Sequence, residues 1–119
     1  MKFVTGVAMT DPTFYLPLAR AAEEAGYDVF TIPDSICYPQ ESSSTYPYNA
    51  DGTREFLENK PFLEPMTAIA AMAAVTSTIE FCPYVLKLPI RNPVIFAKEA
   101  TSVAVMSGGR LKLGVGTSP

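Results

Sequence analysis

Histidine is missing from this chain of 119 residues. Its absence excludes His-based catalytic triads, histidine metal sites and histidine general bases within the segment. Clustered cations are missing as well. The 9 Lys and Arg stand against 12 Asp and Glu, for a net charge of −3, and no basic run occurs. Nucleic-acid binding depends on clustered cations that neutralise phosphates, so it is not expected. Cysteine is scarce: Cys37 and Cys82 are the two present, and they form no CxxC pair. They read as reduced thiols of a cytoplasmic protein. The N-terminus, Met1-Lys2-Phe3-Val4-Thr5-Gly6, lacks the apolar core of a signal peptide. The uncharged stretch 66–79 is alanine-rich and shorter than the roughly 20 apolar residues a spanning helix requires. No membrane association is expected.

What is present is an alternation. Short apolar runs are separated by helical stretches, the pattern of parallel strands joined by crossover helices. The first strand falls on Phe3-Val4-Thr5-Gly6-Val7 and the second on Val29-Phe30-Thr31-Ile32. The third falls on 79–86 and the fourth on 111–116. The first helix starts at Asp11-Pro12-Thr13, carries the apolar stripe Tyr15, Leu18, Ala22 and Ala25, and stops at Gly26. The second spans 65–76 and the third 93–106, each with proline at its first position. Asn92 caps the third, whose stripe is Phe96, Ala100, Val103 and Met106. Both helices show little charge, so a covering surface is expected. The reading is a homodimer built from the helices at 65–76 and 93–106. Between the second strand and second helix lies a long loop, 35–64, with Tyr38, Tyr46 and Tyr48 among Ser, Pro, Asn and Asp. It follows a strand's C-terminal end, so it should cover the ligand side of the sheet. A short helical piece is expected at 53–59. The alternation stops after the fourth strand, at Gly114-Val115-Gly116-Thr117-Ser118-Pro119. The expectation is one domain, 1–119, forming half of a larger barrel that ends at its ligand rim.

Several residues could carry chemistry, and each has a plainer alternative. Asp34 ends the second strand, where a carboxylate can bind a ligand hydroxyl or ring N–H, or simply cap a turn. Tyr84 and Val85 hold the same place on the third strand, as site or as core. Arg91 grips an anion or faces solvent. Pro83 makes its strand irregular. Glu23 and Glu24 read as a solvated helix face. Gly114-x-Gly116 is no dinucleotide fingerprint, because the third glycine position is Pro119 and the fingerprint belongs after a first strand. It reads as close approach of backbone to a ligand. Ser107-Gly108-Gly109 reads as a helix C-terminal cap. A flavodoxin-like sheet is the weaker fold, because Ala8-Met9-Thr10-Asp11-Pro12 is a poor phosphate loop.

These pieces together resemble the luciferase-like monooxygenase family, which uses FMN or the deazaflavin F420. The matching segments are Leu18-Ala19-Arg20-Ala21-Ala22-Glu23-Glu24-Ala25-Gly26-Tyr27-Asp28, Leu63-Glu64-Pro65-Met66-Thr67-Ala68, Ala73-Ala74-Val75-Thr76, Leu88-Pro89-Ile90-Arg91-Asn92-Pro93 and Ser107-Gly108-Gly109-Arg110-Leu111-Lys112-Leu113-Gly114-Val115-Gly116. The resemblance implies an α/β fold of the (β/α)8 TIM-barrel type, of which this chain supplies the first four strands. It implies an oxidoreductase with its ring across the C-terminal strand ends, acting by hydride transfer or monooxygenation on a small-molecule substrate. F420 is the implied cofactor, with FMN as the alternative. Asp34 matches an aspartate that contacts the deazaflavin in the F420 branch and is a possible catalytic residue. The Tyr84-Val85 bond matches a non-prolyl cis peptide that backs the ring. Gly116, Thr117 and Ser118 would line the same pocket. Tyr38 and Tyr46 would face substrate. The family also dimerises through its second and third helices. One departure stands out: the family often has Asp-His after the second strand, and here Ser35 follows Asp34. Serine has no useful pKa near neutrality and cannot inherit that proton-transfer role. The competing class is a non-catalytic half-barrel that folds by association with itself or a partner, because a four-stranded half leaves two open sheet edges.

Overall fold

The computed structural model describes residues 1–43, 45–47 and 49–117. Tyr48 and Ser118 lie outside the described residues. The chain begins with strand β1 (Val4–Gly6) and a single 3-10 turn over Pro12–Phe14. The Asp11 carboxylate starts that turn by accepting from the Thr13 backbone N–H at 2.9 Å and its hydroxyl at 2.7 Å. Helix α1 (Tyr15–Glu24) follows. Its buried stripe is Tyr15, Ala19 and Ala22, so Leu18 and Ala25 leave the expected set and face outward. The Tyr15 hydroxyl is buried without a hydrogen-bond partner, and burial raises its pKa above the ordinary tyrosine value. Gly26 leaves the helix at φ 83°, a conformation that costs glycine nothing.

Strand β2 (Val29–Ile32) runs parallel to β1, with Val4 opposite Val29. Helix α2 (Pro65–Ala73) has Glu64 as its N-cap, accepting from the Thr67 N–H at 2.7 Å. The helix ends three residues earlier than expected. Strand β3 (Glu80–Pro83) pairs parallel with β2. The third strand does not run on to residue 86: it breaks at Tyr84-Val85 and resumes as β4 (Leu86–Lys87). Helix α3 (Pro93–Met106) is capped as expected, with Asn92 Oδ1 accepting from the N–H groups of Val94 and Ile95. Gly108 and Gly109, at φ 66° and 82°, turn the chain back. The fourth strand is found in two contacts, a bridge from Leu111 to Phe81 and strand β5 (Val115–Gly116) beside β4.

The result is a three-stranded parallel sheet, β1-β2-β3, bridged at Phe81 and Leu111 to the parallel pair β4-β5, with helices on one face. Residues alternate along β2 and β3: Phe30, Ile32, Phe81 and Pro83 are buried, while Val29, Thr31, Glu80 and Cys82 are half-buried. The buried set packs on Ala19, Met66, Ile69, Met72, Phe96, Ala100 and Val103 from the helices. A parallel sheet is normally covered on both faces. Here the second face carries the half-buried Val29, Thr31, Glu80 and Cys82 and has no covering element among the described residues, the geometry of a partial barrel seen from inside. Cys37 and Cys82 are free thiols. Among the described residues, no helix is long and apolar enough to cross a membrane.

Two polar struts tie the helices to the N-terminal ends of the strands. Glu23 was expected to face solvent. Instead its carboxylate accepts from the N–H groups of Ser77, Thr78 and Ile79 and from the Thr78 hydroxyl. Arg110 donates to the carbonyls of Ser107, Ile79, Ala73 and Thr76 and to the Thr76 hydroxyl, and it sits 5.6 Å from the Phe81 ring centre. Every guanidinium N–H thus has an acceptor.

Candidate functional site

The opposite, C-terminal ends of the strands carry the candidate site. The break between β3 and β4 is a bulge. Phe81 pairs with Leu111 but Leu86 pairs with Val115, so the third-strand track takes one residue more than its neighbour between those contacts. The Tyr84-Val85 peptide bond at the bulge is cis. That is the bond at which the resemblance implies one. The peptide is held on both sides. Tyr84 N–H donates to the Ile32 carbonyl on β2 at 2.8 Å, and Leu86 N–H donates to the Gly114 carbonyl at 2.7 Å. Tyr84 is 69% exposed.

The glycines at 114 and 116 were expected to admit a ligand to the backbone. What approaches them is the bulge itself. A Cβ on Gly114 would meet the Pro83 carbonyl oxygen at 2.7 Å, and a Cβ on Gly116 would lie against Val85 Cγ1. Glycine is required so that the fourth strand can close on the irregular third one. Gly116 is therefore in contact with Val85, and exposed Thr117 follows it at the rim.

Asp34 sits directly beyond β2, and its side chain has 0% exposure. It is neither a turn cap nor a free carboxylate. Its Oδ2 accepts from Arg91 Nη1 at 2.6 Å and from the Lys87 N–H at 2.8 Å, and its Oδ1 accepts from Arg91 Nη2 at 2.9 Å. Arg91, expected to grip an anion or face solvent, grips an anion of its own chain, the Asp34 carboxylate. Hydrogen bonding to Asp34 raises its pKa further above the ordinary arginine value, outweighing burial. Its Nη1 also donates to the Lys87 carbonyl at 3.0 Å, and its Nη2 lies 3.8 Å from Glu64. The guanidinium is also 5.9 Å from the Phe96 ring centre. Sequence reasoning missed this pairing. The partners stand 57 positions apart, and the sequence offered Arg91 an anion without indicating that Asp34 supplies it.

Asp34, Tyr84, Val85 and Gly116 are thus brought together at three neighbouring strand ends. The long loop, with its short 3-10 turn at Glu55–Leu57, behaves differently. Tyr38 lines a cavity of about 380 Å³ whose walls are its own two limbs, with Cys37 and Ser35 on one side and Asn59, Lys60 and Phe62 on the other. Tyr46 packs edge-on against Phe56 at 5.2 Å, and its N–H donates to the Gly52 carbonyl. These contacts belong to the loop and not to the strand-end cluster.

A planar ring fits the cluster in one respect. The exposed bulge borders a sheet face of small side chains, with Gly6, Thr31 and Cys82 on it. Arg91 at the strand ends is committed to Asp34, so this cluster offers the ring a platform and offers a phosphate tail no free guanidinium from Arg91.

A family model described as luciferase-like monooxygenase matches residues 3–119. The uncharacterized protein Rv0940c of Mycobacterium tuberculosis is 58% identical over 119 residues, which are 100% of this chain. The match covers 41% of that relative, so the chain spans about two fifths of the length of the curated relatives it matches. The oxygenating constituent of 3,6-diketocamphane monooxygenase from Pseudomonas putida, solved with FMN, is similar at TM-score 0.74 and 20% identity. That likeness covers 100% of this chain and 30% of the other. The coenzyme F420-dependent tetrahydromethanopterin reductase of Methanopyrus kandleri is similar at TM-score 0.71 and 22% identity, over 99% of this chain and 27% of the other. At these identities the likeness is one of fold, a partial α/β barrel.

Proposed function

The chain belongs to the luciferase-like monooxygenase family, and on that premise we propose that it forms the ring-binding part of a flavin- or deazaflavin-dependent oxidoreductase. The observation that carries this reading is the Tyr84-Val85 segment, pinned by hydrogen bonds on both sides and exposed at Tyr84, at the strand ends. F420 is the proposed cofactor and FMN the alternative; the FMN and F420 named for the two similar structures support the cofactor class. When bound, such a ring supplies hydride transfer or oxygen activation, chemistry that belongs to the cofactor. This chain's residues position it. Tyr84 and Val85 form the platform under the ring, Gly116 lets the fourth strand seat that platform, and Thr117 edges the pocket. Asp34 belongs to the same site. Tyr38 and Tyr46 carry the loop that faces a small-molecule substrate. Ser35 leaves the site without a proton relay of its own. A homodimer through the surfaces of α2 and α3 completes the proposal.

The test is retention of a chromophore. Protein mixed with F420 or FMN, then freed of unbound cofactor, is expected to keep the absorbance of one of them. Folded protein that keeps neither overturns the reading. A second reading, a non-catalytic half-barrel that associates with itself or a partner, is favoured by one observation. Val4 on β1 and Val115 on β5, at the two open edges of the sheet, are both 54% exposed. Protein that self-associates yet keeps neither cofactor would favour it.

A further inference from the structure

We infer that Arg91 and Asp34 form a latch that positions the Tyr84-Val85 platform, so that Asp34 is a positioning residue and not a ring ligand. This deepens the proposed function and rests on that reading only for what the platform carries. Lys87 lies two residues beyond Val85, and the pair holds both of its peptide groups. The Lys87 N–H donates to Asp34 Oδ2 at 2.8 Å, and the Lys87 carbonyl accepts from Arg91 Nη1 at 3.0 Å. Closer in, Tyr84 N–H is tied to Ile32 on the upstream side and Leu86 N–H to Gly114 on the downstream side. The ion pair adds a second downstream anchor at Lys87, one residue beyond Leu86.

A buried ion pair is a poor source of stability compared with apolar groups of the same shape, because desolvation offsets its attraction. A bidentate arginine fork does fix geometry, since both parallel hydrogen bonds must align at once. Arg91 also reaches Glu64, which caps α2, so the latch joins the end of β2, the end of β4 and the start of α2. Asp34 is poorly placed to touch a ring directly: its side chain has 0% exposure and both oxygens already accept hydrogen bonds.

The test pairs native-state amide exchange with cofactor retention in Arg91→Lys and Asp34→Asn. Glu23→Gln serves as a control destabilised at the opposite ends of the strands. Loss of one charge-assisted bond should speed exchange of the Lys87 amide in Arg91→Lys by about tenfold. Phe30 and Ile32 should keep their rates, and Glu23→Gln should not reproduce the selective change. Asp34→Asn keeps an oxygen for the Lys87 amide and gives the same readout should Arg91→Lys not fold. Both site variants are expected to hold cofactor more weakly than wild type at temperatures where their circular dichroism is native. Unchanged Lys87 exchange overturns the latch. So does cofactor lost in Asp34→Asn but held normally in Arg91→Lys, because Asp34 would then contact the ring itself. If wild type holds neither F420 nor FMN, the functional reading falls while Lys87 exchange still decides the latch.

Discussion

Single atoms decide the geometry of the strand ends, and Gly114 and Gly116 are where that can be measured. A methyl group at 116 meets the Cγ1 of a β-branched side chain, while one at 114 meets a backbone carbonyl at 2.7 Å. Overpacking of this kind costs about 1–3 kcal/mol. Gly116→Ala should lower the chemical-denaturation midpoint, and adding Val85→Ala should recover part of the loss. Gly114→Ala should be destabilised at least as much and should gain nothing from Val85→Ala, because its clash is with backbone. Equal rescue of both would refute the assignment. The glycine pair was legible in the sequence as a place of close approach. What approaches was not, because the bulge that fills the space sits about 30 positions upstream and exists only once the two strands pair. Asp34 is a similar case. A carboxylate at a strand end can be read from Pro33-Asp34, but its guanidinium partner is supplied by tertiary structure.

At the scale of elements, helix limits were the most readable part, because they are local chemistry. Pro65 and Pro93 start helices, Asn92 caps one, and Gly26 and Gly108 end them by adopting positive φ. The interruption of the third strand was hinted at by Pro83 but not its form. The anchoring of α1 to the start of β3 was not visible at all, since Glu23 looks like any exposed helical glutamate until residues 77–79 fold onto it. Burial pushes the Glu23 carboxyl up, but the N–H groups of Ile79, Thr78 and Ser77 and the Thr78 hydroxyl outweigh it and hold its pKa at about 2, against an ordinary 4.5. A carboxylate depressed in the folded state stabilises it fully above the unfolded value and loses that contribution as pH falls. The window is thus from about 4.5 down to about 2. With solvent screening allowed for at this half-buried site, the contribution is on the order of 2 kcal/mol. Glu23→Gln should therefore lower the melting temperature at neutral pH and narrow its gap to wild type as pH approaches 2, the value at which Glu23 titrates in the folded state. A gap constant across that range would remove the anchoring role.

For the whole molecule, the alternation of strands and helices was enough to expect a parallel α/β sheet, and the residues of β2 explain why only one of its faces is covered. Phe30 and Ile32 point to the helices, while Val29 and Thr31 point to the open face. Helix α2 was expected to be apolar on an uncovered outer side. In the folded chain it spends that character inward: Pro65, Met66, Ala68, Ile69, Met72 and Ala73 are buried, leaving Thr67, Ala71 and Ala74 outside. Helix α3 keeps a larger exposed apolar share, with Val94 78%, Ile95 59%, Val105 82% and Met106 75% exposed at its two ends. Lys98, Glu99 and Ser102 lie between them and share a groove of about 490 Å³ with Thr67 and Ala70 of α2. An interface there would bury two apolar patches around a polar waist, so the helical contact should depend mainly on α3. Burying one such side chain contributes about 1.5–3 kcal/mol. Val105→Lys should then weaken self-association by more than about tenfold in sedimentation. Val115→Lys, on the sheet edge, should leave it unchanged. A wild type that is monomeric at micromolar concentration would remove the interface, and a dimer broken by Val115→Lys but not by Val105→Lys would move it from the helices to the open edge of the sheet.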